Sequence, residues 1–461
     1  MRRVLVGVVA LWAMGTTVGQ VQGPSLVDGY REPVSRLLRA ATADRFAWDR
    51  LAVLTDTFGH RLSGSQALED AIDWATETMR RDGFDRVWKD PVKVPKWVRG
   101  SESLELTAPR RQRVPMLGLG MSVGTPPAGI EAELMIVNSF AEFERRSAEA
   151  RGRIVLFNAP FRGYGQTVSY RTTSASLAAQ HGARAILVRS VGPEGLRTPH
   201  TGMLTYRRGV PQIPAAAIPT EDANRLARLA AAGTTLKVKL SMEARLEEDA
   251  DSANLIAELR GRERPEELVV ISCHFDSWDV GTGASDDGGA CVAVWEAARL
   301  MLQENLRPRR TVRVVLFTNE ENGLRGGLDY RTRYTNILDR HVLMFESDLG
   351  VAAPTGFGFS GNDLAREQVT AIASLLEPIG ATHIGAAGGG ADIGPSVAAG
   401  RIPSMSPEVD SSKYFIVHHT DADTIERIDP AGMGRHVAAI AGMIYVIADM
   451  PARLGEPAGT R

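Results

Sequence analysis

The sequence has little cysteine, no long charge-free apolar run in its interior and no excess charge of either sign. Its 461 residues include two cysteines, which excludes a fold held together by a network of disulfides. The 53 basic and 55 acidic residues leave a formal net charge of −2, so nothing indicates a nucleic-acid partner. Aromatic residues make up only 6%, but 44% of the chain is hydrophobic, which is enough for a full core.

The two cysteines, Cys273 and Cys291, lie close together in the chain. Cys273 ends an apolar run, and Cys291 falls in the first turns of a predicted helix. We interpret both as small buried core residues rather than as metal ligands or nucleophiles.

The first residues are typical of a secretory signal. A basic start, a short apolar core and small residues up to Gly19 predict a signal peptide over residues 1–19. A membrane anchor is the alternative, but this apolar run is short for a bilayer, and we expect no later segment to span one. The mature protein is therefore expected to be secreted or periplasmic.

The most informative stretch covers residues 268–300 and reads LVVISCHFDSWDVGTGASDDGGACVAVWEAARL. Its first six residues are apolar and β-branched, which predicts a buried strand. His274 and Asp276 follow two residues apart, so on extended backbone they share one face. After a glycine-broken loop and Asp286-Asp287, the apolar spacing becomes helical.

Two later apolar runs repeat this arrangement. The strand predicted over residues 311–318 is followed by Glu320 and Glu321, and the one over residues 341–345 by Glu346 and Asp348. Open α/β sheets place their chemistry at the carboxyl ends of strands, so we expect these side chains to lie together.

These residue types suit a metal centre. Two imidazoles and three carboxylates are ligands that zinc accepts, and an aspartate can bridge two ions through its two oxygens. Each residue alone is weak evidence, since paired acids usually form a solvated face and a lone histidine usually packs. The candidate set is His274, Asp286, Glu321, Asp348 and His419, with Glu320 left free as a general base and Asp276 placed to accept the other ring N–H of His274.

The order of these motifs resembles the zinc aminopeptidase and carboxypeptidase family. The motifs are H-x-D, A-S-D-D-G-G, N-E-E, E-S-D-x-G and H-H-T-x-x-D-T. The run HFDSWDVGTGASDDGG is similar to the carboxypeptidase Q branch of that family. The likeness continues through GTPPAGI (124–130), SYRTT (169–173), PHTG (199–202), GGGADI (388–393) and KYFIVHH (413–419).

The resemblance implies an α/β fold, in which a mixed sheet is flanked by helices as in zinc exopeptidases. The catalytic domain would comprise residues 20–114 and 250–461. Residues 115–249 would form a protease-associated-type α/β insertion.

The resemblance also implies a role for each site residue. Two Zn²⁺ ions are expected, the first held by His274, Asp286 and Asp348, and the second by Asp286, Glu321 and His419. Glu320 would be the general base. Asp392 is a candidate substrate contact. His418 would pack or contact substrate, and it is the alternative to His419 as the ligand. A cis peptide bond is expected between Asp286 and Asp287.

The implied activity is hydrolysis of short peptides, above all unblocked dipeptides, by a metal-bridged water. A broader zinc aminopeptidase and a mono-zinc glutaminyl-cyclase-like acyl transferase are the alternative enzymes, and a binding module is the non-enzymatic one. The resemblance further implies a homodimer.

Overall fold

The structure, a computed structural model, describes residues 26–457. The signal peptide predicted for residues 1–19 lies outside the described residues. In chain order the strands are β1 (Arg86–Val94), β2 (Trp97–Val98), β3 (Glu102–Ala108), β4 (Gln112–Val114), β5 (Leu117–Gly118), β6 (Ile130–Val137), β7 (Ile154–Phe157), β8 (Ala185–Arg189), β9 (Ala215–Ile218), β10 (Lys237–Met242), β11 (Arg245–Leu246), β12 (Ala250–Leu259), β13 (Arg264–His274), β14 (Arg310–Phe317), β15 (His341–Glu346), β16 (Gly356–Ser360), β17 (His383–Gly385) and β18 (Ser404–Glu408).

The helices are α1 (Arg31–Ala43), α2 (Phe46–Val53), α3 (Gln66–Arg81), α4 (Phe140–Arg146), α5 (Tyr164–Gln180), α6 (Thr220–Ala231), α7 (Gly289–Gln303), α8 (Arg325–Arg333), α9 (Asp363–Ala373), α10 (Gly394–Gly400), α11 (Tyr414–Val417) and α12 (Pro430–Asp449). Short 3₁₀ or π turns occupy Asp28–Tyr30, Leu54–Phe58, Ser147–Ala150, Ala284–Gly288, Thr335–Arg340, Ser374–Ile379 and Ile425–Arg427.

The sheet of the predicted catalytic domain, called the catalytic sheet below, carries the predicted strands at its centre. Within the described part of the chain its strand order is β1-β12-β14-β13-β15-β18-β16-β17. β13 runs parallel to both β14 and β15, whereas β1 and β12 form an antiparallel edge. One face packs on α1, α2, α3, α7, α9 and α12, and the other on α8 and α10. The predicted mixed sheet flanked by helices is confirmed.

The central strands are apolar because both of their faces are covered. Every residue of β14 and β15 is buried, and so are residues 267–274 of β13. Buried parallel strands of this kind read as continuous hydrophobic runs. That is why the three strands were recognisable in the sequence.

A second sheet forms the insertion. Its strand order is β4-β3-β10-β6-β7-β8-β9-β5, and β6 to β9 run parallel. The sheet includes β3, which starts at Glu102, so the insertion boundary predicted at residue 115 falls inside this sheet. β3 pairs with β10 and β4, whose alternating pattern does not distinguish them from strands of the catalytic domain.

Helix α12 is the most apolar long helix that the structure describes. Within residues 26–457 it is the one helix long and apolar enough to cross a bilayer by length and composition. Its most apolar window is 83% buried inside the protein. The length and composition of α12 are therefore those of a core helix, which packs on α1 and α7.

Trp278 joins the two sheets. It lies in the loop after β13, yet its indole packs in the insertion's core beside Trp97, Leu117 and Met242. A Cβ atom on Gly120 would come within 2.0 Å of that ring, so the insertion's backbone approaches it closely. The insertion is therefore packed onto the loop that leads into the predicted site.

Candidate metal centre and active site

The three central strands end at one edge of the catalytic sheet, where the predicted site residues gather. β13 ends at His274, β14 is followed by Glu320 and Glu321, and β15 ends at Glu346, two residues before Asp348. Parallel pairing brings these ends side by side. The expectation from open α/β sheets therefore holds for these strand ends.

Asp286 lies at the centre of the cluster. Its Oδ1 is 3.3 Å from His274 Nε2, and its Oδ2 is 3.2 Å from His419 Nε2. His274 Nε2 is also 3.2 Å from Asp348 Oδ1, and His419 Nε2 is 3.1 Å from Glu321 Oε2. One carboxylate thus links two histidine–carboxylate pairs, and the structure brings all five predicted ligands together.

His418 lies next to His419, and its nitrogen, with Asp286 and His419, forms one of the donor groups that could hold a metal ion. Its ring stacks on His419 at 3.5 Å between centroids, and its Nε2 is 3.6 Å from Asp286 Oδ2. Its Nδ1 is buried without a hydrogen-bond partner among the described residues. Burial and the neighbouring His419 hold the pKa of His418 well below its usual range.

The loop that carries Asp286 is fixed at several points. The Asp286–Asp287 peptide bond is cis, as expected, and Asp287 Oδ2 accepts a hydrogen bond from the His274 amide at 3.3 Å. Asp423 accepts from the amides of Ser285 at 2.7 Å and Asp286 at 3.1 Å. Burial and the Asp286 charge raise the pKa of Asp423 to about 7. Asp423 was missed, although its place in H-H-T-x-x-D-T was the available signal.

Asp276 has a different role from the predicted one. The Nδ1 of His274 is 3.0 Å from the backbone oxygen of Asp276, not from its carboxylate. The carboxylate accepts instead from the amides of Glu320 at 3.1 Å and Glu321 at 3.2 Å, and from Ser63 Oγ at 3.1 Å. Asp276 therefore orients the Glu320-Glu321 turn, and only its carbonyl orients His274.

The two glutamates of that turn face different surroundings. Glu320 is half-buried, whereas Glu321 is buried. Burial, together with Asp348 and Asp276, raises the pKa of Glu320 to about 8. Burial and Asp286 raise the pKa of Glu321 well above its usual range. Glu320 thus keeps solvent access while Glu321 points at His419.

Glu346 and Asp392 form a second acidic pair. The Glu346 carboxylate accepts from the amides of Asp392 at 3.3 Å and Ile393 at 2.8 Å. Gly390 permits this approach, because a Cβ there would lie 2.1 Å from the Glu346 carboxyl carbon. Burial and Asp348 raise the pKa of Glu346 to about 7. Both carboxylate oxygens of Asp392 are buried without a partner among the described residues, and burial with Glu346 raises its pKa well above the usual range.

The cluster fits bound cations. Buried carboxylate oxygens with no hydrogen-bond donor, namely Asp286 Oδ2 and Glu321 Oε1, lie among histidine nitrogens. Buried charges of one sign are unfavourable unless they are paired or coordinate a metal. Nitrogen and oxygen donors grouped within 4.8 Å of one another form a donor set that zinc accepts.

The two cysteines are buried as predicted, but they are not separate core residues. Cys273 and Cys291 form a disulfide, with their Cα atoms 5.2 Å apart. The bond joins the end of β13 to the start of α7, on either side of the loop that carries Asp286. Pairing depends on proximity in the fold, which a spacing of 18 residues did not reveal.

Arg61 is a further residue that the sequence analysis missed. It is fully buried, and its guanidinium donates to the carbonyls of Phe275, Thr282 and Gly283 at 2.8–3.1 Å. These carbonyls belong to the loop between His274 and Asp286. Arg61 therefore fixes the backbone of that loop by hydrogen bonds.

The insertion also contacts the site. Thr201 donates its amide to the His419 carbonyl at 3.0 Å, and its own carbonyl lies 3.3 Å from His419 Nδ1. Arg171 Nη1 is 3.4 Å from the same Nδ1, and Arg171 Nη2 donates to Tyr164 Oη at 2.7 Å. The insertion thus orients the ring of His419, and the motifs SYRTT and PHTG are the segments that do so.

The mixed sheet and the paired histidine–carboxylate cluster define a metal-dependent hydrolase with zinc exopeptidase architecture. The model of peptidase family M28 matches residues 254–444. Human carboxypeptidase Q is 44% identical over 408 residues, covering 88% of this chain and 86% of the relative. Carboxypeptidase Q of Xenopus laevis is 43% identical over 427 residues, covering 92% and 91%.

Solved structures agree with these relatives. A peptidase M28 precursor from Shewanella amazonensis is 34% identical with a TM-score of 0.88, covering 94% of this chain and 100% of the other. A zinc aminopeptidase from Bacillus subtilis shares the fold at 20% identity and a TM-score of 0.66, covering 88% and 95%. The chain belongs to the carboxypeptidase Q branch of peptidase family M28. It is a zinc-dependent peptidase.

Proposed function

We propose that this peptidase uses two Zn²⁺ ions and hydrolyses short peptides, with a preference for dipeptides whose termini are both free. The observation that carries the two-ion proposal is the placement of Asp286, whose two oxygens face different histidines. His274, Asp286 and Asp348 would hold one ion, and Asp286, Glu321 and His419 the other. When bound, zinc polarises a carbonyl oxygen and lowers the pKa of water.

Glu320 is the proposed general base. Its amide is fixed by Asp276, and its half-buried carboxylate stands beside the ligand set without facing either histidine as closely as Glu321 does. In its charged form it accepts the proton of the attacking water and then delivers that proton to the leaving amine. Nearby cations favour the charged form, which opposes the rise in pKa caused by burial.

The acids around the site support recognition of an ammonium group. The unpartnered oxygens of Asp392 lie within electrostatic reach of Glu346 and Glu320. A substrate whose free amino group adjoins the scissile bond would supply the missing donor. A dipeptide meets this requirement. It is also short, so few residues have to fit beside the insertion, which contacts His419.

Comparing four substrates tests the proposal. We expect kcat/KM for alanyl-leucine to exceed that for its N-acetyl form, its C-terminal amide and a longer peptide with the same start. Equal turnover of the longer peptide would indicate a broader zinc aminopeptidase. Preference for the N-acetyl form would remove the ammonium argument.

Metal analysis tests the two-ion part separately. We expect two zinc ions per active chain and loss of hydrolysis on thorough chelation. One ion at full activity, with cyclisation of an N-terminal glutamine, would favour the acyl-transferase alternative.

Location and assembly complete the proposal. We infer an extracytoplasmic enzyme, secreted or periplasmic, and the Cys273–Cys291 disulfide supports an oxidising compartment. Cell fractionation tests this location, and finding the active protein only in the cytoplasm would contradict it. A homodimer is proposed by analogy with the branch, and sedimentation of the zinc-loaded protein would show whether it forms.

A further inference from the structure

Tyr164, the first residue of α5, lies against His418, the neighbour of the candidate ligand His419. Its ring meets the His418 ring edge-on at 5.0 Å between centroids and stacks on Phe415 at 5.5 Å. The side chain is half-buried, so one edge of it remains open. Contacts from both domains therefore hold the phenol at the site.

The hydroxyl of Tyr164 accepts one hydrogen bond and is free to donate another. Its oxygen accepts from Arg171 Nη2 at 2.7 Å, and among residues 26–457 no side chain or carbonyl accepts the hydroxyl hydrogen. Arg171 is itself buried and donates to the carbonyls of Met203 and Thr201. A guanidinium fixed behind a phenol leaves the O–H free to donate and makes it a stronger donor.

The charges of the site are arranged in two groups. Asp392 and Glu346 form the acidic group, and Arg171 places a buried positive charge on the side of His419. The charge of Glu320 acts on both groups: burial, Glu346 and Glu320 raise the pKa of Asp392, and burial and Glu320 raise the pKa of Tyr164, which Arg171 lowers. A small substrate with opposite charges at its two ends matches this arrangement.

We propose that the Tyr164 hydroxyl, backed by Arg171, binds the free C-terminal carboxylate of the dipeptide. The inference rests on the proposed function. An extended dipeptide spans about 7 Å, so a substrate with its ammonium near the acids brings its carboxylate close to the reacting bond. A hydroxyl that donates to a carboxylate forms a short, charge-assisted hydrogen bond, which a neutral amide does not match.

Tyr164→Phe in the zinc-loaded protein tests the proposal, because it removes the hydroxyl and keeps the ring. Alanyl-leucine and its C-terminal amide are the probes. We expect kcat/KM for alanyl-leucine to fall about tenfold or more, mainly through KM, while the value for the amide changes less than about twofold. Tyr170→Phe is the matched control, because Tyr170 lies in the same helix but stacks on Phe140. This variant should leave kcat/KM unchanged for both substrates.

Arg171 is a positioning residue in this proposal. Arg171→Lys keeps the charge but loses the fork that orients Tyr164, so KM for alanyl-leucine should rise while kcat changes little. Because Arg171 also adjoins His419, zinc content is measured in each variant. If Arg171→Lys loses zinc and its kcat/KM falls equally for both substrates, Arg171 acts on the metal site, which would contradict the proposal.

The outcomes separate the two proposals. If the parent favours alanyl-leucine over its amide and Tyr164→Phe keeps that ratio, the carboxylate site is wrong although the dipeptide preference stands. If Tyr164→Phe lowers kcat/KM equally for both substrates, the hydroxyl does not bind the carboxylate. If the parent turns over the amide as well as the dipeptide, the proposed substrate class fails and the carboxylate site fails with it.

Discussion

Glu320 and Glu321 are neighbours in sequence, but their side chains have different surroundings. The turn after β14 sends Glu321 towards His419 and leaves Glu320 half-open, and Asp276 fixes both amides. Their adjacency in the sequence led us to expect that the two side chains would not bind the metal in the same way. It could not show which atoms hold the turn.

Glu320→Gln should keep zinc and lose most activity. The amide has the shape of the carboxylate but cannot accept the proton of water, so kcat should fall roughly 100-fold or more. Zinc content and kcat are measured on the same preparation. Hydrolysis at the parent rate would show that another group is the base.

Asp276→Asn should weaken the site without touching a ligand. The new amide can accept only one of the two backbone hydrogen bonds, and its N–H₂ faces the other amide. We expect zinc affinity to fall about 10- to 100-fold, as for other groups that orient metal ligands. Ser63→Ala is the matched control, because it removes one donor to the same carboxylate and keeps both backbone bonds. Equal zinc affinity in Asp276→Asn and the parent would contradict this role.

At the scale of elements, the strands were easier to predict than their connections. β13, β14 and β15 contain largely apolar runs, interrupted in β14 by Arg313, because helices cover both faces, and the ends of these runs indicated where the site lies. The disulfide, Arg61 and the Tyr164–Arg171 pair escaped prediction from residue patterns. Each joins segments whose proximity depends on the fold and not on local spacing.

The disulfide should stabilise the junction between β13 and α7. It closes a loop of 18 residues, for which the chain-entropy model gives about 3 kcal/mol. We expect Cys273→Ala with Cys291→Ala to lower the free energy of unfolding by at least this amount in urea titrations. Reductant should destabilise the parent and leave the double variant unchanged. An equal response of both proteins to reductant would mean that the bond does not contribute.

At the scale of the whole molecule, the buried acids link stability to zinc and pH. Burial and neighbouring charges raise the pKa of Glu346 and Asp423 to about 7 and that of Glu320 to about 8. The folded, zinc-free protein therefore holds protons near neutral pH that bound cations must displace. Raising the pH removes those protons, so zinc binding should strengthen from pH 6 to pH 8.

Unfolding measurements test this linkage. The difference in unfolding free energy between zinc-loaded and chelated protein, at one free zinc concentration, should grow by about 1.4 kcal/mol per displaced proton and pH unit. Urea titrations at pH 6, 7 and 8 provide the values. Comparing the two forms at each pH cancels the contribution that histidines distant from the site make to the unfolding free energy. A difference that shrinks as the pH rises would contradict the linkage.

Domain organisation was the least predictable property at this scale. The motifs led us to expect an insertion that starts at residue 115, whereas β3, which comes before that residue, pairs with β10, more than a hundred residues later in the chain. The alternation of polar and apolar residues in a strand does not indicate which sheet the strand belongs to.

The indole of Trp278 has a consequence for how the enzyme is made. A ribosome completes the strands of the insertion, up to Met242, before it adds Trp278, and it adds His419 later still. The buried cluster of the insertion lacks one of its largest side chains until Trp278 is added, and the candidate zinc ligands are incomplete until His419 is added. Hydrolytic activity is thus acquired late in synthesis, after both sheets have the side chains that they share.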